Sequence, residues 1–207
     1  MYKILFTGGT GFIGSNILKN IRLNHIVYVI QKKESKSAIF KSKNIQIIKF
    51  NNYNSLASKL KKIKVDAVIH CATHYKKIHN TSDIKKFAES NILLGNIILE
   101  NIKNMGAKKF INFTTTWGSS EGILNNPKNL YAAYKNGFSC LLDFYKKKFP
   151  SLRFIDLVIV DTYGANDKRE KLINVLKKNY KKNKITKIIS RNLYINLVNV
   201  EDVVDAI

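Results

Sequence analysis

The amino-acid sequence predicts an α/β fold of the Rossmann type, a doubly wound parallel sheet with helices on both faces. Short apolar segments rich in Ile and Val alternate along the chain with amphipathic stretches of helical length. The first apolar segment runs directly into a glycine-rich turn, and the apolar segments lack the strict alternation of a half-exposed antiparallel sheet. Alternating strands and helices imply right-handed crossovers and therefore parallel strands.

The hydrophobic pattern places each element of this fold along the chain. Buried strands are predicted at residues 3–7, 25–30, 45–50, 65–70, 109–113 and 154–160. Helices are predicted at residues 12–22, 55–63, 83–104, 130–148 and 168–180. Segment 31–44 is basic and contains at most a vestigial helix, while residues 193–198 predict a last strand followed by a helix that begins near Asn199.

Size and composition narrow the class of protein. A chain of 207 residues with 45% hydrophobic content and two prolines forms one substantial core, so we expect a single main domain. No stretch approaches 18 apolar residues, and the first strand leaves no room for a signal peptide, so a soluble cytoplasmic protein without a membrane span is expected. Cys71 and Cys140 lack the spacing of a metal site or a disulfide framework and are expected to be packing residues.

The net charge of +22 raises the question of a nucleic-acid partner. The positive charge comes from 32 lysines and only 4 arginines, spread through every segment of the chain. Base and phosphate recognition favours the planar fork of arginine on one basic face. The composition therefore predicts no nucleic-acid binding, and a general enrichment in Lys, Asn and Ile explains the charge.

A glycine-rich turn joins the first strand to the first helix in the string Thr7-Gly8-Gly9-Thr10-Gly11-Phe12-Ile13-Gly14. Gly8 is expected to allow the tight turn, Gly11 to let the backbone approach a pyrophosphate, and Gly14 to let helix and strand pack closely. The helix N-terminus then faces the phosphates. This position between strand and helix predicts a dinucleotide site.

The GxxGxxG spacing within TGGTGFIG resembles the extended short-chain dehydrogenase/reductase family, also called the NAD-dependent epimerase/dehydratase family, over essentially the whole chain. The resemblance implies an NAD(P)-dependent enzyme that acts on a nucleotide-linked sugar. It also implies a set of cofactor-binding residues, namely Gly8, Thr10, Gly11, Phe12, Ile13, Gly14, Gln31, Lys32, Asn51, Cys71, Ala72, Thr73, Asn91, Thr114 and Lys135.

The end of the second strand bears on which dinucleotide binds. NAD-preferring Rossmann proteins commonly carry an acid there that binds the ribose hydroxyls. This chain has Gln31, Lys32 and Lys33 instead, and the first acid is Glu34. Because a lysine can meet a 2′-phosphate, NADP is favoured and NAD is the alternative.

Tyr131 and Lys135 stand four residues apart on a predicted helix, so both side chains lie on one face. The same spacing occurs elsewhere in this lysine-rich chain, but only this pair follows the fifth strand and its threonine run. The resemblance implies that Tyr131 is the general acid/base and that Lys135 lowers its pKa and binds the nicotinamide ribose. It also implies that a threonine binds the reacting oxygen, with Thr116 preferred and Thr115 in reserve.

Three aromatic residues are expected to border the substrate, and the residues that follow the catalytic threonine indicate which reaction is disfavoured. The strings at residues 72–75 and 161–169, which contain Tyr75 and Tyr163, resemble the branch that contains CDP-abequose synthases and related nucleotide-sugar 4-ketoreductases. Trp117 stands where many relatives have a tyrosine before glycine and is expected to form a wall of the pocket. The family's dehydratases carry an Asp-Glu pair after the catalytic threonine, whereas Thr116 is followed by Trp117 and Gly118. The resemblance therefore disfavours dehydration.

Together these features predict NADPH-dependent reduction of a 4-keto group on a nucleotide-linked sugar for surface polysaccharide synthesis, without a metal site. The alternatives are an NAD-dependent nucleotide-sugar epimerase and a non-catalytic dinucleotide sensor or scaffold. The resemblance implies that residues 160–207 begin a substrate lobe that is largely absent from the 1–207 sequence. It also implies a possible homodimer through a four-helix interface formed by residues 83–104 and 130–148.

Overall fold

A computed structural model describes residues 1–35, 39, 42–188, 190, 192 and 194–207. The chain divides into two compact units, Met1–Ile159 and Val160–Ile207. The first unit contains the large sheet, and the second contains a small sheet of two strands. The assignment of the second unit as the beginning of a substrate lobe stays a prediction.

The first unit is built on a parallel sheet whose six strands, among the described residues, follow the order β3-β2-β1-β4-β5-β6. The strands are β1 Lys3–Thr7, β2 Ile26–Lys32, β3 Ile45–Phe50, β4 Ala67–His70, β5 Lys109–Thr115 and β6 Arg153–Ile159. This is the strand order of a dinucleotide-binding sheet, in which ligands bind where the order reverses between β1 and β4. The predicted doubly wound parallel fold is confirmed.

The helices of the first unit are α1 Phe12–Ile21, α2 Tyr53–Leu60, α3 Ile84–Ala88, α4 Leu94–Glu100, α5 Ile102–Met105 and α6 Leu130–Lys148. The predicted bounds of α6 are confirmed, and its start has a local cause. Asn129 caps the helix by accepting a hydrogen bond from the N–H of Ala132 at 2.9 Å. The cap places Tyr131 in the first turn of α6.

The single helix predicted at residues 83–104 is confirmed only in part: the backbone stays helical through the π turn, whose hydrogen bonding interrupts the α-helical pattern, and it leaves helical geometry at Asn101. A 3₁₀ turn at Thr81–Asp83 leads into α3, a π-helical turn at Glu89–Leu93 separates α3 from α4, and Asn101 leaves helical geometry before α5. Such π turns frequently lie at functional sites. Apolar periodicity did not reveal this break.

The core of the first unit lies between the sheet and the α4–α6 pair. Phe110 on β5 and Phe138 and Leu142 on α6 are at most 1% exposed, and each such side chain stabilises the fold by roughly 1.5–3 kcal/mol. A Cβ on Gly95 would lie 2.3 Å from Cζ of Phe138. Glycine is therefore what lets α4 approach α6 and hold it against the sheet.

The second unit departs from two predictions. Residues 161–163 lie outside every predicted strand but form β7 Asp161–Tyr163, which pairs in parallel with β8 Leu197–Asn199. The predicted start of the last strand, Leu193, lies outside the described residues. Helix α7, Leu172–Tyr180, starts later than predicted because the preceding Arg169 is held by hydrogen bonds to Thr162 O at 2.8 Å and to Asp167. The last helix is α8, Val200–Asp205.

Segment 31–44, the two cysteines and the question of a membrane span can each be compared with the expectations from the sequence. The described part of segment 31–44 contains strand and turn residues but no helix. Both cysteines are free, and Cys140 is exposed, so the prediction that it is a packing residue is wrong because it lies on the outer face of α6. Over the described ranges, the model contains no helix with both the length and the apolar character of a membrane span.

Candidate active site

The glycine turn between β1 and α1 is packed so tightly that two of its glycines are required by the protein itself. Gly8 has φ +79, and a Cβ there would lie 2.6 Å from the backbone N of Ala72. A Cβ on Gly14 would lie 2.1 Å from the carbonyl O of Gly8. These contacts agree with the tight-turn and close-packing roles expected from the sequence.

Gly11 differs from Gly8 and Gly14. Its N–H donates to Gly8 O at 3.0 Å, its φ is −77°, and a Cβ there would meet only Gly8 O, at 3.4 Å. Gly11 also occupies the N-cap of α1 without a side-chain cap, with Thr10 exposed and Phe12 and Ile13 half-buried beside it. A bare helix N-terminus of this kind fits the pyrophosphate of a dinucleotide.

Thr7 ties the glycine turn to the segment that follows β4. Its hydroxyl accepts a hydrogen bond from the N–H of Ala72 at 3.0 Å and lies 3.0 Å from Nδ1 of His70. Burial lowers the pKa of His70 to about 3, so the imidazole is neutral, and its Nδ1 shares a hydrogen bond with the Thr7 hydroxyl. His70 is thus a structural histidine, 1% exposed.

Asn91, in the π-helical turn, braces the segment after β4. It is 2% exposed, and its Oδ1 accepts from the N–H of His74 at 2.7 Å while its Nδ2 donates to His74 O at 3.1 Å. The same Oδ1 accepts from the Thr73 hydroxyl at 3.0 Å. The π turn therefore aims one buried amide at the loop beside Tyr131.

Tyr131 lies in an aromatic cluster with two of the predicted substrate-binding residues. The ring of Tyr75 meets the ring of Tyr131 edge-on at 5.2 Å between centroids and lies 5.9 Å from that of Trp117. Lys128 lies over the Trp117 ring at 5.4 Å. The structure thus brings Tyr75, Trp117 and Tyr131 together from the loop after β4, the turn after β5 and the start of α6.

The turn after β5 is fastened to α6 by Asn136. Its Nδ2 donates to Gly118 O at 2.8 Å, and a Cβ on Gly118 would collide with the Asn136 side chain at 2.2 Å. The backbone N–H of Lys128 also donates to Trp117 O at 2.9 Å. These bonds set the end of β5 against the helix that carries Tyr131.

The two residues predicted to carry proton transfer have strongly shifted pKa values. Burial raises the pKa of Tyr131 to about 12, against a smaller lowering by its hydrogen bond with Thr73. The pKa lies above the ordinary tyrosine value because loss of hydration penalises the phenolate, and the expected lowering by Lys135 stays a prediction. Burial lowers the pKa of Lys135, which is 5% exposed, to about 8, while Cys71 and Asp156 act in the opposite direction.

The threonines that end β5 occupy different environments. The Thr114 hydroxyl donates to Leu157 O at 3.5 Å, and the Thr115 Oγ1 accepts from the N–H of Trp117 at 3.3 Å, capping the turn. Thr116 begins that turn and is exposed. Strand β5 runs to Thr115, past the predicted end at residue 113, because Thr114 and Thr115 continue the pairing with β6.

The predicted adenosine-side residues are only partly brought together. Lys32 ends β2, but its Nζ is bonded to Oε2 of Glu89 at 2.6 Å. Gln31 precedes it in the strand, and Asn51 is exposed beyond β3, where the next residue caps α2. Glu89 was missed from the sequence, and nothing in the local pattern marked it, because it stands 57 residues from Lys32.

Two remaining predicted residues lie elsewhere. Cys71 follows β4, and burial raises the pKa of its thiol to about 12, so the thiol is neutral. Tyr163 ends β7 in the second unit, where it is the register partner of Asn199. Its expected contact with substrate stays a prediction.

Comparison with known proteins gives a family and several relatives. The model of the NAD dependent epimerase/dehydratase family matches residues 4–207. CDP-abequose synthase of Yersinia pseudotuberculosis is 28% identical over 208 residues, covering 99% of this chain and 71% of that protein. dTDP-D-glucose 4,6-dehydratase of Dictyostelium discoideum is 32% identical over 201 residues, covering 83% of this chain and 46% of that protein.

Solved structures share the fold at lower sequence identity. UDP-glucuronic acid 4-epimerase from Bacillus cereus, in complex with UDP-glucuronic acid and NAD, superposes with a TM-score of 0.79 at 22% identity, covering 98% of this chain and 70% of that one. UDP-glucose 4-epimerase of Thermus thermophilus, in complex with NAD, gives a TM-score of 0.80 at 21% identity, covering 99% of this chain and 72% of that one. Both similarities establish the fold.

Proposed function

The chain belongs to the NAD dependent epimerase/dehydratase family, and on that premise we propose that it reduces the 4-keto group of a nucleotide-linked sugar with NADPH. The reaction serves surface polysaccharide synthesis in the cytoplasm. The observation that carries the proposal is the neutral, largely buried Tyr131 beside the aromatic pair Tyr75 and Trp117. A phenol with a pKa of about 12 holds its proton at neutral pH, as a proton donor in a reduction must.

The chemistry divides between the cofactor and the chain. When bound at the glycine turn, NADPH would supply the hydride for the carbonyl carbon. The Tyr131 hydroxyl gives its proton to the carbonyl oxygen, which becomes the sugar hydroxyl. The Tyr131 side chain is then a phenolate. Lys135, largely protonated below pH 8, stabilises that phenolate by its charge. Thr116, the exposed hydroxyl at the end of β5, donates to the same oxygen, with Thr115 as the reserve.

Residues of the glycine turn and the strand ends hold the dinucleotide. The N-terminus of α1 receives the pyrophosphate, with Gly11 as the point of closest approach. The absence of an acid at the end of β2 supports NADP over NAD, because Lys32 and Lys33 take that position.

Reduction is favoured over dehydration because Thr116 is followed by Trp117 and Gly118 rather than by an acidic pair. The resemblance to CDP-abequose synthase over 99% of the chain supports a nucleotide-sugar substrate. The second candidate is an NAD-dependent epimerase, which the fold similarity to solved 4-epimerases supports. A dinucleotide sensor without catalysis is disfavoured by the presence of both Tyr131 and Lys135.

The test compares two matched substitutions on the same helix, Tyr131→Phe and Tyr134→Phe. Tyr134 lies three residues further along α6 and stacks on Phe87 at 5.5 Å. NADPH oxidation is followed with CDP-, GDP- and UDP-linked 4-keto sugars, and dinucleotide binding is followed in parallel by fluorescence. We expect Tyr131→Phe to lower turnover by at least about a thousandfold with dinucleotide affinity unchanged, and Tyr134→Phe to remain active.

The outcomes separate the candidates. Full activity of Tyr131→Phe removes Tyr131 as the acid. Interconversion of two sugars without net NADPH consumption identifies the epimerase. Dinucleotide binding without turnover on any sugar supports the sensor.

A further inference from the structure

Lys32 lies at the end of β2, the position at which the sequence was used to choose between NAD and NADP. Its ammonium group forms an ion pair within the protein. Its Nζ lies 2.6 Å from Oε2 of Glu89 and 3.8 Å from Oε1 of Glu34. The ammonium also lies 5.9 Å from the centre of the Tyr53 ring. Part of the positive charge that the sequence assigns to a 2′-phosphate is therefore already neutralised within the protein.

The position of Lys32 along the sheet places it beside the adenosine ribose. Thr7, the last residue of β1 before the glycine turn, is the register partner of Ile30, so Lys32 stands two residues beyond that level on the neighbouring strand. The end of β2 is where Rossmann proteins read the ribose 2′-position. The Lys32–Glu89 pair thus occupies the point at which NAD and NADP differ.

Glu89 is held in place by its surroundings. It opens the π-helical turn Glu89–Leu93, and its carbonyl accepts a hydrogen bond from the Tyr53 hydroxyl at 3.2 Å. The Glu89 side chain is 20% exposed, against 73% for Glu34. Because water screens a half-buried pair less than an exposed one, Glu89 acts on Lys32 more strongly than Glu34 does.

We propose that Glu89 sets the dinucleotide selectivity of this chain by neutralising Lys32. A 2′-phosphate competes with the Glu89 carboxylate for the ammonium and meets that carboxylate's negative charge, whereas the ribose hydroxyls of NAD meet no such repulsion. The wild-type chain therefore binds NADP less tightly than Lys32 alone permits. The inference rests on the proposed function only in requiring a dinucleotide at the glycine turn.

The experiment measures equilibrium dissociation constants of NADP⁺ and NAD⁺ for the full chain, three single variants and one double variant. Glu89→Gln removes the charge while keeping the side-chain size and the backbone carbonyl that binds Tyr53. Glu34→Gln is the matched control, since it makes the same change at an exposed acid near the same lysine. Lys32→Gln removes the cation itself, and thermal unfolding checks that each variant folds.

We expect Glu89→Gln to shift the ratio of NADP to NAD affinity toward NADP by about tenfold, with Glu34→Gln changing it less than about twofold. In the double variant Lys32→Gln/Glu89→Gln the shift disappears, because no ammonium is left to release. A ratio unchanged in Glu89→Gln, or changed equally in Glu34→Gln, overturns the inference while leaving the proposed function intact. Failure of folded wild-type chain to bind either dinucleotide overturns both.

Discussion

In the glycine turn, alanine substitutions at two neighbouring glycines are predicted to affect different properties, the stability of the fold at one and dinucleotide binding at the other. Gly14→Ala places a methyl group 2.1 Å from Gly8 O, so α1 must move away from the turn by more than 1 Å to reach ordinary contact. Gly11→Ala places its methyl 3.4 Å from the same atom, which is ordinary contact. The first substitution therefore affects folding, and the second affects the ligand.

The magnitudes follow from the contacts. Overpacking costs about 1–3 kcal/mol, and the collision in Gly14→Ala is with a backbone oxygen that cannot rotate away. The 2.1 Å approach to Gly8 O puts Gly14→Ala at the upper end of that range, about 3 kcal/mol. The better helix propensity of alanine returns at most about 1 kcal/mol, which leaves a loss of about 2 kcal/mol in unfolding free energy and roughly 4–8 °C in Tm. Gly11→Ala loses only N-cap preference, about 0.5–1 kcal/mol.

For dinucleotide affinity, Gly11→Ala is expected to be the more damaged variant, whereas for stability it is Gly14→Ala. A methyl on Gly11 stands at the N-terminus of α1, where the pyrophosphate approaches most closely, so we expect dinucleotide affinity to fall about a hundredfold, or about 2.7 kcal/mol. Gly14→Ala is measured below its unfolding transition and loses less affinity than Gly11→Ala.

Urea unfolding and dinucleotide titration separate the two effects, and Trp117, the single tryptophan, provides the fluorescence signal. Gly106→Ala is the control, because its φ of +75 makes alanine strained while nothing lies within 4 Å of the added Cβ. It should lose about 1–2 kcal/mol of stability without a change in affinity. Dinucleotide affinity of Gly11→Ala within about threefold of wild type would refute the close-approach reasoning, as would an unchanged unfolding free energy for Gly14→Ala.

Two further predictions follow from the buried groups beside Tyr131. Because burial lowers the pKa of Lys135 to about 8, its charge is present below that pH and lost above it, so kcat/KM for reduction falls as pH rises through about 8. Lys135→Arg removes this fall from the pH–rate profile. Persistence of the same fall in that variant contradicts the assignment. Asn91→Ala leaves the half-buried N–H and C=O of His74 without the Asn91 amide and should lower the urea unfolding free energy by about 1–3 kcal/mol. A loss well below about 1 kcal/mol would indicate that water replaces the amide.

The parts of the fold that local pattern controls were predicted from the sequence. The bounds of β1, β3 and α6 agree with the structure, because each is a continuous periodic segment with a clear beginning. The glycine turn was predicted for the same reason, since a strand that enters three spaced glycines has few other conformations. Tyr131 and Lys135 share a face of α6 through helical geometry alone.

The break in the helix predicted at residues 83–104 and the strand β7 depend on partners distant in sequence. Asn91 turns into the π segment because the backbone of His74 presents both a donor and an acceptor to its amide. Asp161 and its neighbours become a strand only because Leu197–Asn199 pairs with them. The periodicity of one segment cannot reveal either the contact of Asn91 with His74 or the pairing of β7 with β8.

The sequence by itself determined the doubly wound parallel sheet, the glycine turn between β1 and α1, and the placement of Tyr131 and Lys135 on one face of α6, because these follow from periodicity and spacing along the chain. Only the tertiary structure decided the electrostatic state of the site. Burial raises the pKa of Tyr131 because the phenolate is poorly hydrated there, and a carboxylate 57 residues away in sequence pairs with Lys32. Hydration and charge pairing are set by what surrounds a group in space, which a linear sequence does not specify.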